Sequence, residues 1–119
     1  MKVLVVDDEP FVRTTLSMLL TLEGYQVVVA SDGHVALESA LADPPDVILS
    51  DMHMPKLSGR ELLQAVRGEG RLARTRFVFL TGEAQSPVAA IPGAAPADGF
   101  LIKPFTRAQL LALLKGLKP

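Results

Sequence analysis

The stretch KVLVVDDEP, Lys2 to Pro10, sets three acids directly behind four consecutive apolar residues. The apolar run, Val3–Val6, has the length of a β-strand and no alternation with polar residues, so both of its faces are expected to be buried. The acids Asp7, Asp8 and Glu9 follow without a gap. A chain whose formal net charge is only −1 therefore concentrates negative charge at one strand end, which points to a local binding site.

Composition limits the architecture and the classes of partner. With 119 residues, of which 49% are hydrophobic and 21% charged, the chain suits one core and a single domain spanning residues 1–119. The near-neutral charge gives no general attraction to nucleic acid or to a membrane surface, so neither is expected as a direct partner. The absence of cysteine excludes disulfides, zinc–thiolate sites and thiol nucleophiles. No apolar run has the length of a signal-peptide core or a membrane span, and we expect a cytoplasmic protein.

Short apolar runs alternate with segments of helical spacing along the chain. Five runs have strand length and little polar alternation: Val3–Val6, Val27–Ala30, Val47–Leu49, Phe77–Leu80 and Phe100–Ile102. Apolar residues at helical spacing follow the first, second, third and fifth runs, and capping boxes at Ser58–Glu61 and Thr106–Gln109 mark two helix starts. The alternation predicts right-handed crossovers and a parallel α/β sheet covered by helices on both faces.

The segment after the fourth run departs from this pattern. Residues 86–99, SPVAAIPGAAPADG, contain three prolines, which leave room for one or two helical turns at most. We expect a short or irregular fourth helix there. A plain surface loop and a specialised docking surface are both open interpretations of this segment.

Polar residues follow the predicted strands at one edge of the sheet, where ligands of open parallel α/β sheets bind. Asp7 and Asp8 follow the first strand, Asp51 the third, Thr81 the fourth and Lys103 the fifth. If the first and third strands are neighbours, three carboxylates converge, and two unit charges about 4 Å apart repel by roughly 4 kcal/mol at an effective dielectric of about 20. Either one acid stays protonated, or Lys103 and a divalent cation neutralise the cluster. We favour the cation, Mg²⁺ or Mn²⁺.

These residue types suit phosphoryl transfer. A carboxylate can form an acyl phosphate, a cation and a lysine can neutralise the oxygens of the transferring group, and a threonine hydroxyl can donate to one of them. The alternative is that each residue is only a helix cap or a solvated strand end. Five such groups at successive strand ends favour a phosphoryl site.

The sequence resembles the receiver domains of bacterial two-component response regulators over essentially its whole length. The matching segments are VLVVDDEP, SDMHMPKLSG, FLTGE and FLIKPF, in this order. The resemblance implies a flavodoxin-like, doubly wound parallel sheet with strand order 2-1-3-4-5. It also implies a signalling domain rather than an enzyme, one that catalyses only its own phosphotransfer and dephosphorylation.

The resemblance implies roles for residues after the first and third strands. Asp51 would accept the phosphoryl group from a phosphohistidine of a sensor histidine kinase or a phosphotransfer protein. Asp8, Asp51 and the backbone carbonyl of His53 would ligate Mg²⁺, with Asp7 assisting through water. The imidazole of His53 could also order or obstruct the water that hydrolyses the acyl phosphate, or it could simply face solvent.

Residues around the ends of the fourth and fifth strands complete the implied switch. Thr81 and Lys103 would contact the phosphoryl group, and Phe100 would turn inward as Thr81 moves toward it. The bond between Lys103 and Pro104 would be cis. Gly82, next to Thr81, could keep the approach to the phosphoryl group open, or it could be an ordinary loop glycine. The readout surface would comprise the fourth helix, the fifth strand and the fifth helix.

The turn after Asp51 and a basic run have simpler interpretations. Pro55 and Gly59 flank the turn and are expected to stiffen it, for which ordinary turn chemistry is sufficient. A run of arginines is expected to form a solvated loop opposite the acids rather than a nucleic-acid patch: Arg67, Arg71, Arg74 and Arg76.

Output and partners stay open at this level. The readout surface would meet a downstream effector protein or a fused output domain, and a homodimer is compatible with it. The chain ends soon after the last predicted helix, so a standalone regulator and a receiver from a longer protein both fit. The main alternative function is a phosphorylation-independent scaffold. A magnesium-dependent phosphatase would need an acid where His53 stands, and a flavin module would need a glycine-rich phosphate loop after the first strand.

Overall fold

The structure, a computed structural model, describes residues 1–52, 54, 56–81 and 97–117, with Thr81 described by its backbone alone. The strands in these ranges are Lys2–Val6 (β1), Gln26–Ala30 (β2), Val47–Asp51 (β3), Arg76–Thr81 (β4) and Gly99–Ile102 (β5). The α-helices in the same ranges are Pro10–Leu22 (α1), Gly33–Ala42 (α2), Gly59–Arg67 (α3) and Arg107–Gly116 (α4), and a 3₁₀ turn spans Gly70–Leu72.

The strands form one parallel sheet in the order β2-β1-β3-β4-β5. This confirms the predicted flavodoxin-like, doubly wound topology. The strand order reverses between β1 and β3, which pair with Val6 opposite Ser50. The chain therefore leaves β1 at Asp7 directly beside Asp51, the last residue of β3.

The inner strands β1, β3 and β4 are buried on both faces, as their unbroken apolar runs predict, whereas the edge strands β2 and β5 are only partly buried, which corrects the prediction for these two runs. Because side chains alternate across a strand, each strand contributes to two core clusters. One cluster joins alternate residues of β1, β3 and β4 to α2 and α3, for example Leu4, Ile48 and Phe77. The other joins the remaining strand residues to α1 and α4, for example Val5 and Leu49.

The helix starts follow the capping signals in the sequence. Both predicted capping boxes are confirmed: the N–H of Glu61 donates to Ser58 Oγ over 3.2 Å, and that of Gln109 donates to Thr106 Oγ1 over 3.1 Å. Gly24 follows α1 with a φ of 90°, a left-handed conformation that favours glycine.

The third strand is longer than predicted. It runs to Asp51 rather than ending at Leu49, because polar Ser50 and Asp51 continue the ladder opposite Phe79 and Leu80. The apolar run in the sequence therefore ends before the strand does, and Asp51 is held by the sheet rather than by a loop.

The prediction of a solvated arginine run is wrong for Arg67. Its guanidinium is largely buried, donating to Asp98 Oδ2 over 2.6 Å and to the carbonyl oxygen of Thr75 over 2.8 Å. The same Asp98 oxygen accepts the Phe77 N–H over 2.8 Å, and Arg76 lies 3.3 Å from Asp98 Oδ1. This network fixes the start of β5 against β4, at the edge opposite the acids.

The predicted short or irregular fourth helix falls almost entirely outside the described residues, which resume at Ala97, and Gly99 begins β5. Among the described helices, none combines the length and the hydropathy needed to cross a bilayer.

Candidate functional site

Three carboxylates meet at the carboxyl edge of β1 and β3. One oxygen from each of Asp7, Asp8 and Asp51 lies within 4.8 Å of the others. Asp7 is fully buried, Asp51 is half-buried and Asp8 is exposed. The neighbouring positions of β1 and β3 bring these residues together, as the strand order predicts.

Asp7 is the buried anchor of the cluster. Its Oδ1 accepts the N–H of Glu9 over 2.9 Å, and its Oδ2 lies 3.2 Å from Lys103 Nζ. Its backbone N–H donates to the carbonyl oxygen of Ala30 over 3.2 Å, and its own carbonyl oxygen accepts a hydrogen bond from Arg13 over 2.6 Å. A buried carboxylate requires such compensation, and these contacts leave Asp7 little freedom to move.

Lys103 brings a cation to the acids from the end of β5. Its Nζ is 3.2 Å from Asp7 Oδ2 and 3.7 Å from Asp51 Oδ1, so it bridges the two carboxylates. The peptide bond between Lys103 and Pro104 is cis, as expected. The ammonium offsets one of three negative charges, which leaves a formal excess of two.

Burial raises the pKa of the Asp51 carboxyl, opposed first by the charge of Lys103. The negative charges of Asp7 and Asp8 raise it further, while a hydrogen bond from the Met52 N–H to Asp51 Oδ1, 2.8 Å long, favours the ionised form. The net direction is upward, because one lysine does not compensate burial and two neighbouring acids. Ionised Asp51 is therefore an unfavourable group in the metal-free site.

Gly59 is required by a close approach rather than by a turn, which corrects the sequence interpretation. It is the first residue of α3, and a Cβ there would lie only 2.3 Å from the carbonyl oxygen of Asp51. Its N–H donates to the carbonyl oxygen of Met52 over 3.0 Å. The start of α3 thus lies directly against the backbone of Asp51.

The loop between β3 and α3 also rests on the start of α2, a contact that the sequence analysis did not predict. A Cβ on Gly33 would lie 2.5 Å from the carbonyl oxygen of Leu57, and Lys56, at a φ of 68°, places its Nζ 3.8 Å from Asp32 Oδ2. Asp32 is the N-cap of α2: its Oδ1 accepts the Val35 N–H over 3.0 Å, and this hydrogen bond lowers the pKa of the Asp32 carboxyl. The sequence signal for this contact was an N-cap residue followed at once by a glycine, Asp32 and Gly33.

The remaining predicted site residues are described in part. Thr81 ends β4 and pairs with Ile102, so its backbone lies at the same edge as the acids. The ring of Phe100 is half-buried and stacks on Phe79, with centroids 6.0 Å apart and ring planes at 18°. Predictions for three other residues lie outside the described residues: His53, Pro55 and Gly82.

The donor set fits a divalent cation with oxygen ligands. Three carboxylates face one ammonium, and Mg²⁺ binds through a few carboxylates while it keeps several waters. Exposed Asp8 and half-buried Asp51 leave such waters room, and an added cation would remove the excess negative charge.

The profile of the family described as "Response regulator receiver domain" matches residues 3–115. The chain belongs to this family. Among curated relatives of this receiver domain, the transcriptional regulatory protein KdpE of Mycobacterium tuberculosis is 37% identical over 114 residues, covering 96% of the chain and 49% of KdpE. The response regulator MprA of the same species is 36% identical over 116 residues, covering 98% of the chain and 50% of MprA. The receiver domain thus spans about half the length of these relatives.

Solved receiver domains share the same fold. The chemotaxis response regulator CheY4 of Vibrio cholerae superposes with a TM-score of 0.89 at 37% identity, covering 98% of each chain. The receiver domain of the sensor histidine kinase PA1611 of Pseudomonas aeruginosa superposes with a TM-score of 0.88 at 30% identity, covering 98% of this chain and 95% of that one. That domain has a magnesium ion coordinated in its active site cleft.

Replacing Asp51 should stabilise the metal-free receiver domain at neutral pH. A carboxyl whose pKa is raised by folding favours the folded state when protonated, and that contribution is lost as pH rises through the folded pKa. Asp51→Asn removes the charge and should raise the thermal midpoint in EDTA at pH 7 by a few degrees, since about 1 kcal/mol shifts a small domain by roughly 4–8 °C. The gain should shrink as the pH is lowered from 7 to 4, because acidification protonates the Asp51 carboxyl and removes the unfavourable charge from the wild-type protein.

Circular dichroism melts at both pH values provide the measurement. Glu38→Gln, at an exposed acid on α2, is the control and should change the midpoint little at either pH. An Asp51→Asn gain that is absent at pH 7, or that grows on acidification, would contradict the described charge balance.

Proposed function

We propose that this chain is a phosphoacceptor receiver domain in which Asp51 takes a phosphoryl group from a phosphohistidine in a Mg²⁺-dependent reaction. The observation that carries this proposal is the meeting of Asp51, at the end of β3, with two further carboxylates and the ammonium of Lys103. A phosphorylation-independent scaffold would have no need for three charged groups arranged around one half-buried carboxylate.

The chain's own residues would carry out the transfer as follows. Asp51 Oδ1 is engaged by the Met52 N–H, which leaves Oδ2 as the attacking oxygen. This oxygen forms a bond to phosphorus while the P–N bond of phosphohistidine breaks, and the electron pair of that bond returns to the imidazole nitrogen. The result is an acyl phosphate on Asp51 and a free histidine on the donor.

Lys103 would stabilise the charge that arrives on the phosphoryl oxygens. Its contact with Asp7 keeps the ammonium beside Asp51, so little reorganisation is needed when the phosphoryl group arrives. We assign Asp8 and Asp51 as direct Mg²⁺ ligands, with Asp7 acting through water and the His53 carbonyl completing the set. Bound Mg²⁺ would neutralise oxygens of the transferring group. The hydroxyl of Thr81 would donate to one of them.

The switch would run from the phosphoryl group to the edge strand β5. We infer that Thr81 moves toward the phosphoryl group and that the ring of Phe100, already stacked on Phe79, responds to that movement. Such a switch needs two packings that differ by only a few kcal/mol, so that one modification can shift their populations. Ile102 of β5 is exposed. This exposure supports a readout surface on β5 and on α4, which is the helix that the sequence analysis counts as the fifth.

The readout partner would be a downstream effector protein or an output domain on the same polypeptide. A transcriptional regulatory protein is among the relatives that are about twice as long, which supports the second arrangement. A homodimer through the readout surface is compatible with both. We also infer that residues 1–119 form one domain, because the second core cluster joins Val3 near the start of the chain to Leu114 near its end.

Intact mass spectrometry after incubation with Mg²⁺ and a small phosphodonor, such as phosphoramidate, tests the proposed function. Wild-type protein should gain one phosphoryl group, and Asp51→Asn should gain none because the attacking carboxylate is absent. EDTA should prevent the gain in wild-type protein, and Glu38→Gln should behave as wild type. Equal incorporation by wild type and Asp51→Asn would remove Asp51 from its role.

The exposed face of α1 is evidence that the phosphodonor is a protein. Phe11, Met18 and Leu22 are 79%, 61% and 77% exposed and lie at positions i, i+7 and i+11, on one side of the helix. The only charged residue in α1 is Arg13, whose guanidinium donates to the carbonyl of Asp7. This uncharged face begins three residues after Asp8, at the rim of the site, where a protein that phosphorylates Asp51 must lie.

Replacing Phe11 should slow phosphotransfer from a protein donor without slowing phosphorylation by a small donor. Phe11→Ser should slow transfer from a phosphorylated histidine phosphotransfer protein by about tenfold or more, since a buried aromatic anchor contributes about 2 kcal/mol or more to an interface. Phosphorylation by phosphoramidate should stay at the wild-type rate. Val35→Ser, at an exposed apolar residue of α2, is the matched control and should affect neither donor. Equal slowing of both donors by Phe11→Ser would show that Phe11 supports the site itself.

A further inference from the structure

Ser50 places a fully buried hydroxyl in the centre of the sheet, immediately before Asp51. It pairs with Val6 of β1 and with Phe79 of β4, and its solvent exposure is 0%. A hydroxyl at such a position lowers stability unless it is hydrogen-bonded. The proposed phosphotransfer assigns no role to this side chain.

The hydroxyl of Ser50 is bonded to the peptide unit that also holds the Asp51 side chain. Ser50 Oγ donates to the carbonyl oxygen of Asp51 over 2.9 Å. That carbonyl and the N–H of Met52 belong to one planar peptide group, so they turn together. The Met52 N–H in turn donates to Asp51 Oδ1 over 2.8 Å. The orientation of this single peptide plane therefore determines where the Asp51 carboxylate is held.

The same peptide is confined by α3. A Cβ on Gly59 would lie 2.3 Å from the Asp51 carbonyl oxygen and 2.9 Å from Met52 Cα, so the backbone at the start of α3 lies directly against this peptide. Ser50 supplies the attractive contact with the carbonyl, and Gly59 supplies the steric limit. Two independent contacts thus act on one carbonyl oxygen.

We propose that Ser50 is a positioning residue for Asp51. Through the peptide between Asp51 and Met52, its hydroxyl holds the Asp51 carboxylate in the orientation that faces Lys103 and the other acids. The proposal rests on the proposed phosphoacceptor function of Asp51. Ser50 touches no reacting atom, so its effect should appear in the rate of the bound complex rather than in donor binding.

Ser50→Ala is the test variant, and Thr75→Val is its matched control. Thr75 is also a buried residue whose hydroxyl donates to a backbone carbonyl, that of Pro45, over 2.8 Å. It precedes β4 and lies at the opposite edge of the sheet from the acids. Both substitutions remove one buried hydroxyl hydrogen bond, and only the first removes it from the Asp51 peptide.

Ser50→Ala should lower the saturating rate of phosphorylation by phosphoramidate and Mg²⁺ about five- to tenfold, with little change in the half-saturating donor concentration. It should also shift the Met52 amide proton resonance in ¹H–¹⁵N spectra, because the hydrogen bond to Asp51 Oδ1 weakens. Thr75→Val should change neither quantity, even where it lowers the melting temperature equally. Ser50→Thr keeps the hydroxyl and should restore both.

Two results would overturn the proposal. One is a wild-type rate and an unshifted Met52 amide in Ser50→Ala. The other is an equal loss of rate in Thr75→Val, which would mean that the rate follows stability alone. If wild-type protein takes up no phosphate, the phosphoacceptor function fails, while the Met52 resonance still decides whether Ser50 holds the peptide.

Discussion

Repulsion among three carboxylates is the constraint on which the site depends. The strand order sets β1 beside β3, and the acids that follow these strands come within 4.8 Å of one another. Burial raises the pKa of the Asp51 carboxyl, and the charges of Asp7 and Asp8 add to this effect, which one lysine does not offset. A divalent cation or protonation of one acid would reduce this repulsion. We propose that this balance makes half-buried Asp51 responsive to phosphorylation and Mg²⁺, whereas a fully compensated ion pair would respond to neither.

The fold supplies this charge cluster with rigid support from distant parts of the chain. Asp7 is held at the end of β1, Lys103 follows the edge strand β5, and the start of α3 places Gly59 against the Asp51 carbonyl. Because these groups contact one another, we infer that small changes at the Asp51 peptide reach the neighbouring elements. The stacked rings of Phe79 and Phe100 connect β4 with β5.

The sequence predicted the sheet and the acidic edge well, because both follow from local patterns. Unbroken apolar runs indicate strands buried on two faces, and parallel strands present their carboxyl ends at one edge. The sequence did not predict contacts between residues that are far apart along the chain. The bond between Arg67 and Asp98 joins residues 31 positions apart, and the need for glycine at position 59 arises from a carbonyl 2.3 Å from its absent Cβ. Polar Ser50 and Asp51 concealed the true end of β3, since nothing in their side chains signals a strand.

Calorimetric titration of Mg²⁺ into wild-type protein and Asp8→Asn measures the central claim most directly. Asp8 is the exposed member of the acidic cluster, so its replacement can remove a ligand without disturbing the core. One Mg²⁺ site is predicted in wild type, weakened by about tenfold or more in Asp8→Asn and unchanged in Glu38→Gln. Equal affinity in wild type and Asp8→Asn would show that the three carboxylates do not form the metal site, and the account of the acidic edge would then be wrong.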